Sequence, residues 1–204
     1  MDPIRVILRT ASGGPLQAQI VSGIPSSGRE QILRLWRPFI QACKEDDAGW
    51  AWRWILEPTD GMIELALLTE GRIEGVMKVR LTSICREFEN LGAPCCLIEY
   101  AAVAPWNRPA DTVAWTATGK AVHEECGNER ATPCGRLLFA AAMRLSRERG
   151  YEGRLGWFSE RGAEARYREW FPEISRVRIP MKPAGYSDLK PATHSDLKAA
   201  TIPI

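Results

Sequence analysis

Apolar residues change their spacing several times along this chain, and each change marks an element. Near the start, Ile4 to Leu8 and Leu16 to Val21 read as two strands joined by a turn at Ser12, Gly13 and Gly14. Residues 29–44 switch to helical spacing, with Ile32, Leu33, Leu35, Trp36, Phe39, Ile40 and Cys43 on one stripe and a kink expected at Pro38. An acidic link of Glu45, Asp46 and Asp47 leads to a second helical segment. There Trp50 and Trp54 lie one turn apart, Trp52 faces elsewhere, and Pro58 and Gly61 stop the element. From Met62 to Ser83 the pattern is strand, turn, strand, with MIELALL and IEGVMKVRLTS flanking Glu70, Gly71 and Arg72. Another strand runs from Cys96 to Val103, and Pro105 ends it.

The strongest periodic signal comes later. Leu137, Leu138, Ala141, Ala142 and Leu145 form an apolar stripe opposite Arg136, Arg144, Arg147 and Glu148, an amphipathic helix of about four turns. Gly150 ends it, and Arg147 and Arg149 suit the negative end of its dipole. Arg154 to Phe158 then reads as a short buried strand. Gly162 to Trp170 reads as a helix with Ala163, Tyr167 and Trp170 on one side, and Ile174 to Ile179 as a last strand. This order predicts a mixed α/β domain over residues 1–181. Residues 106–133 form a long connection, within which Asp111 to Glu125 can make a short helix. Residues 182–204 form a tail. In it YSDLKPAT (186–193) is followed directly by HSDLKAAT (194–201), a tandem repeat of eight residues expected to be loosely ordered or packed on the surface.

Composition narrows the function classes. The 27 Lys and Arg nearly balance 25 Asp and Glu, so no bulk electrostatic case exists for a nucleic-acid or membrane partner. The N-terminal segment lacks an apolar core of signal-peptide length, and no run approaches the ~20 apolar residues a spanning helix needs. A cytoplasmic protein with reduced thiols is expected despite six cysteines. His123, Cys126 and Cys134 lie close in sequence and Cys95 adjoins Cys96. With no Cys-x-x-Cys pair, however, no metal site is expected.

Four stretches carry a family resemblance: AAVAPWNR (101–108), CGRLLFAAAMRLS (134–146), RERGYEGRLGWFS (147–159) and GAEARYREWF (162–171). In this order they resemble the GNAT superfamily of acetyl-CoA-dependent N-acetyltransferases over roughly residues 96–171. The resemblance implies a single-domain GNAT-like fold with a central mixed, mostly antiparallel sheet flanked by helices. It also implies acetyl-CoA as co-substrate and a small-molecule or protein amine as acceptor. The family's diphosphate loop has the pattern Q/R-x-x-G-x-G/A, and the hexapeptide Arg130–Gly135 matches its first and last positions. Pro133, however, stands where the first glycine belongs, and proline has no N–H to donate. Thr132 as N-cap with Pro133 at the first helical position is the alternative reading of the same residues.

The resemblance assigns cofactor binding to Ala102, Val103, Arg130, Cys134, Gly135 and Arg136, and an acid role to Tyr167. Glu99 is the carboxylate best placed as a base, directly or through water. Asp46, Asp47 and Trp50 would receive a cationic acceptor through charge and cation–π attraction, although tryptophans at this spacing also suit a core or a homodimer contact. The competing class is a GNAT-fold binding or interaction module that has lost its cofactor, and Pro133 is its argument.

Overall fold

The computed structural model describes residues 1–42, 52–85, 91–108, 131–157 and 200–202. The fold is mixed α/β, built on one sheet with strand order β6-β1-β2-β3-β4-β5-β7-β8. The strands are β1 (Ile4–Thr10), β2 (Pro15–Ser22), β3 (Met62–Thr69), β4 (Arg72–Ile84), β5 (Pro94–Val103), β6 (Ala131–Thr132), β7 (Leu155–Trp157) and β8 (Ala200–Ile202). The helices are α1 (Ser26–Gln31), a π-helical turn (Ile32–Trp36), α2 (Arg37–Ala42), α3 (Trp52–Leu56) and α4 (Cys134–Glu148).

Burial explains the sheet. In β2 it alternates along much of the strand, as for one covered face. In β3, β4 and β5 it is continuous, with every residue from Ile73 to Val79 buried, as for strands covered on both faces. β1 and β2 pair antiparallel from Ile4↔Ile20 to Arg9↔Pro15, across a turn in which Gly13 takes φ +87°. β5 and β7 pair parallel over Cys96↔Leu155, Leu97↔Gly156 and Ile98↔Trp157. The α/β class and the mixed, mostly antiparallel sheet expected from the sequence are present.

The chain divides into two compact units. The first comprises Met1–Thr59, Ile63–Lys78 and Tyr100–Phe139. Its core gathers Ile24, Ile32, Trp36, Ile40, Trp52, Leu56, Ala66, Ile73, Val76, Ala102, Ala104 and Trp106. Trp36 meets Trp52 and Trp106 edge to face, at centroid separations of 6.4 and 6.3 Å. Trp52 therefore takes the core role among the readings open to this aromatic cluster, while Trp50, Asp46 and Asp47 lie outside the described residues. Just ahead of Pro38, where a kink is expected, lies the π-helical turn, in which the Arg37 amide reaches back to Ile32 O. A widened turn just ahead of the proline gives room for a ring that would otherwise meet the preceding turn's carbonyl.

The second unit comprises Asp60–Met62, Val79–Glu99 and Ala140–Ile204. The end of α4 is joined here to β7, with Ser146 Oγ donating to Arg154 O at 2.7 Å and Gly150 at φ +77° closing the helix. Tail residues Ala200–Ile202 pair antiparallel with β7. The expected helix at 162–170, the strand at 174–179 and the helix at 111–125 lie outside the described residues.

Candidate active site

In the first unit, α4 begins at Cys134 against the middle of the sheet. Its close approach depends on Gly75 of β4, where a Cβ would lie 2.9 Å from Leu138 Cδ1 and 3.4 Å from Ala102 O. Leu137 N donates to Pro133 O at 3.2 Å, so Pro133 holds the N-cap position. Thr132 belongs instead to β6 and pairs with Arg9, which corrects the expectation of a Thr132 cap. The N–H groups of Cys134, Gly135 and Arg136 precede the first possible intrahelical bond. Cys134 is buried and its Sγ donates to Ala131 O at 3.2 Å, Gly135 is half-buried, and Arg136 is exposed. Three amides, a residue without a side chain and an exposed guanidinium form a donor set that fits a diphosphate. Proline at 133 removes the fourth donor that a glycine would supply there.

Ala102 is buried and Val103 half-buried at the end of β5, and Val103 O accepts from the Arg108 guanidinium at 3.5 Å. Ala102 also lines a narrow apolar crevice with Ile24, Trp52, Val76, Lys78 and Tyr100, which leaves no room for a water molecule. Lys78 is almost wholly buried, and its Nζ donates to Glu57 O just beyond α3 at 2.8 Å. In the second unit, Glu99 Oε1 accepts from Arg80 Nε at 2.6 Å, so the carboxylate expected to act as base is held in an ion pair. Tyr167 and Arg130 lie outside the described residues. Among the described residues no group of three His, Cys, Asp or Glu side chains assembles that could hold a metal ion. Among them, too, no helix is long and apolar enough to cross a membrane.

The sequence reading missed Glu74. Its carboxylate is fully buried and takes four donors: Thr69 Oγ1 (2.7 Å), Arg72 (3.1 Å), Trp106 Nε1 (2.9 Å) and Asn107 Nδ2 (2.7 Å). Asn107 Oδ1 in turn accepts from Ala131 N at 2.7 Å. A glutamate within an apolar strand was the one signal that pointed here. Glu64 of β3 is a second buried carboxylate, and its Oε2 accepts from Arg29 at 2.7 Å and from Ile24 N at 3.3 Å.

No family model and no curated protein sequence matches the chain. Two solved structures of an aminoglycoside acetyltransferase, meta-AAC0020 from an uncultured soil metagenomic sample, are similar to it. The complex with trehalose is 15% identical over 76% of this chain and 88% of that one, with a TM-score of 0.39. The complex with sisomicin is 14% identical over 85% and 97%, with a TM-score of 0.44.

Proposed function

We propose that this chain is an acetyl-CoA-dependent N-acyltransferase that passes an acetyl group to an amine. The observation that supports the reading is the entrance to α4, where the amides of Cys134, Gly135 and Arg136 precede the first intrahelical bond and Leu138, on the next turn, packs at Gly75 beside Ala102. Bound acetyl-CoA would supply the thioester. The amides of Cys134, Gly135 and Arg136, together with Arg130, hold the diphosphate, while main-chain groups at Ala102 and Val103 face the pantetheine arm. Glu99 takes the amine's proton, directly or through water, and Tyr167 gives one to the leaving sulfur. Asp46, Asp47 and Trp50 attract a cationic acceptor, either a small molecule or a protein amine. The proposal calls for no metal and no nucleic-acid or membrane partner.

Calorimetry and thermal unfolding with acetyl-CoA test it. At a hundredfold excess over Kd the ligand stabilises the folded chain by about 2.7 kcal/mol. For a chain of this size that is a rise in Tm of about 5–10 °C. No binding at millimolar concentration removes the enzyme reading. The second reading is a binding module without cofactor. It is favoured by Pro133, which has no N–H and whose carbonyl is already engaged by Leu137.

A further inference from the structure

Asn107 lies on the short 3₁₀ turn Pro105–Asn107 that leaves β5, and it is 6% exposed. Both ends of its amide are engaged. Nδ2 donates to Glu74 Oε2 at 2.7 Å and to Glu74 O at 3.3 Å, while Oδ1 accepts from Ala131 N at 2.7 Å. A carboxylate at this position has no donor for Glu74, and a shorter side chain cannot reach both partners. Asn107 thus joins β4, the turn after β5 and β6, which are distant in sequence. Its anchor is itself fixed, because Thr69, Arg72 and Trp106 also hold Glu74.

The residue at the other end of this bridge, Ala131, leads into α4. Ala131 comes three positions before Cys134, and Cys134 Sγ donates back to Ala131 O. Among the described residues β6 pairs with β1 at two positions, Arg9↔Thr132 and Thr10↔Ala131. To these two ladder positions the Asn107 bond adds a third, buried hold on the segment that leads into α4. We propose that Asn107 is the positioning residue for the entrance to α4, fixing where the amides of Cys134, Gly135 and Arg136 present themselves to an anionic ligand. The proposal rests on the acyltransferase reading for the identity of that ligand, the diphosphate of CoA.

Two probes and one exchange measurement test it. CoA carries the diphosphate and pantetheine does not. Asn107→Ala weakens CoA binding about tenfold, equivalent to about 1.4 kcal/mol, and leaves pantetheine binding unchanged. Equal weakening of both probes, or unweakened CoA, overturns the proposal. In parallel, hydrogen exchange at Ala131 and at Cys134, Gly135 and Arg136 quickens about tenfold in the variant while distant helices keep their protection. Unchanged exchange at those amides also overturns it. A wild-type chain that binds neither probe removes the acyltransferase reading alone, and exchange then decides whether Asn107 positions the entrance. Asn107→Ser, with too short a reach for both partners, substitutes if the alanine variant does not fold.

Discussion

Replacing Glu74 by glutamine and by alanine separates the charge of the buried carboxylate from its hydrogen-bond capacity. Each oxygen takes two donors, Thr69 and Arg72 on Oε1 and Trp106 and Asn107 on Oε2. In the glutamine variant the NH₂ group must face one of these pairs. It turns toward Thr69, whose hydroxyl can rotate to accept and whose neighbour Arg72 is 29% exposed and can reach water. The remaining oxygen then serves Trp106 and Asn107, and the loss is that of charge assistance, about 1.5–3 kcal/mol. Alanine offers no acceptor at all. It leaves the Trp106 N–H buried and unpaired and the Asn107 amide with only its longer 3.3 Å bond to the main-chain O of residue 74, at about 1–3 kcal/mol each, together with a void, for a total of about 4–6 kcal/mol. Urea unfolding read by tryptophan fluorescence measures both. A glutamine variant within about 0.5 kcal/mol of wild type, or an alanine variant no worse than glutamine, would refute the reasoning.

Further outcomes follow from other sites. Gly28→Ala places a methyl 2.1 Å from Ile73 Cδ1; the overpacking of about 1–3 kcal/mol exceeds the ~1 kcal/mol gain in helix propensity. Ile73→Val removes that Cδ1, so the double variant recovers at least ~1 kcal/mol of coupling, and simple additivity in a double-mutant cycle would sink the argument. Burial, with the neighbouring Cys85, pushes the Cys95 thiol up to about 12, and burial pushes the Cys96 thiol up to about 11 against the opposing effects of Arg149 and Ser146. The folded chain therefore keeps protons that the unfolded chain releases above its ordinary thiol value of 9.0. Stability is full below that pH and falls as pH rises toward the folded values, by up to ~1.4 kcal/mol per pH unit per thiol; a flat profile from pH 9 to 11 in Cm would contradict this. Under the acyltransferase reading, Tyr167→Phe lowers turnover with CoA affinity unchanged. Glu99→Gln lowers it about a hundredfold or more, and an unaffected rate in either variant strikes that residue from the mechanism.

Elements with many local repeats of one pattern were legible from sequence. Leu137 through Leu145 announce α4, Gly150 its end, and the apolar runs around Glu70–Gly71 the hairpin of β3 and β4. Elements defined by a distant partner were not. Ala131–Thr132 is too short to alternate, and it becomes a strand only because Arg9 and Thr10 offer an edge. Ala200–Ile202 likewise takes its role from β7. Pro38 signalled a break in its helix, but the choice of a π-helical turn ahead of it depends on seating Ile32 and Trp36 in the core. The candidate site divides in the same way. The donors at the entrance to α4 could be read from Cys134–Gly135–Arg136, whereas Glu74 and Asn107 gain meaning only when residues 69, 72, 106, 107 and 131 come together.

The two-position pairing of β6 with β1 also bears on the order in which the chain is made. β1 and β2 leave the ribosome more than a hundred residues before β6 and can form a hairpin at once, yet the strand that pairs with the outer side of β1 is not synthesised until residue 132. Through that interval the nascent hairpin offers an unpaired edge to any neighbouring chain, the condition under which strands associate wrongly. Among the described residues β6 pairs with Arg9 and Thr10, and Ile7 is 58% exposed. Arg5 and Arg9 are exposed on this strand, and charge on an unpaired edge is what opposes pairing with a second copy.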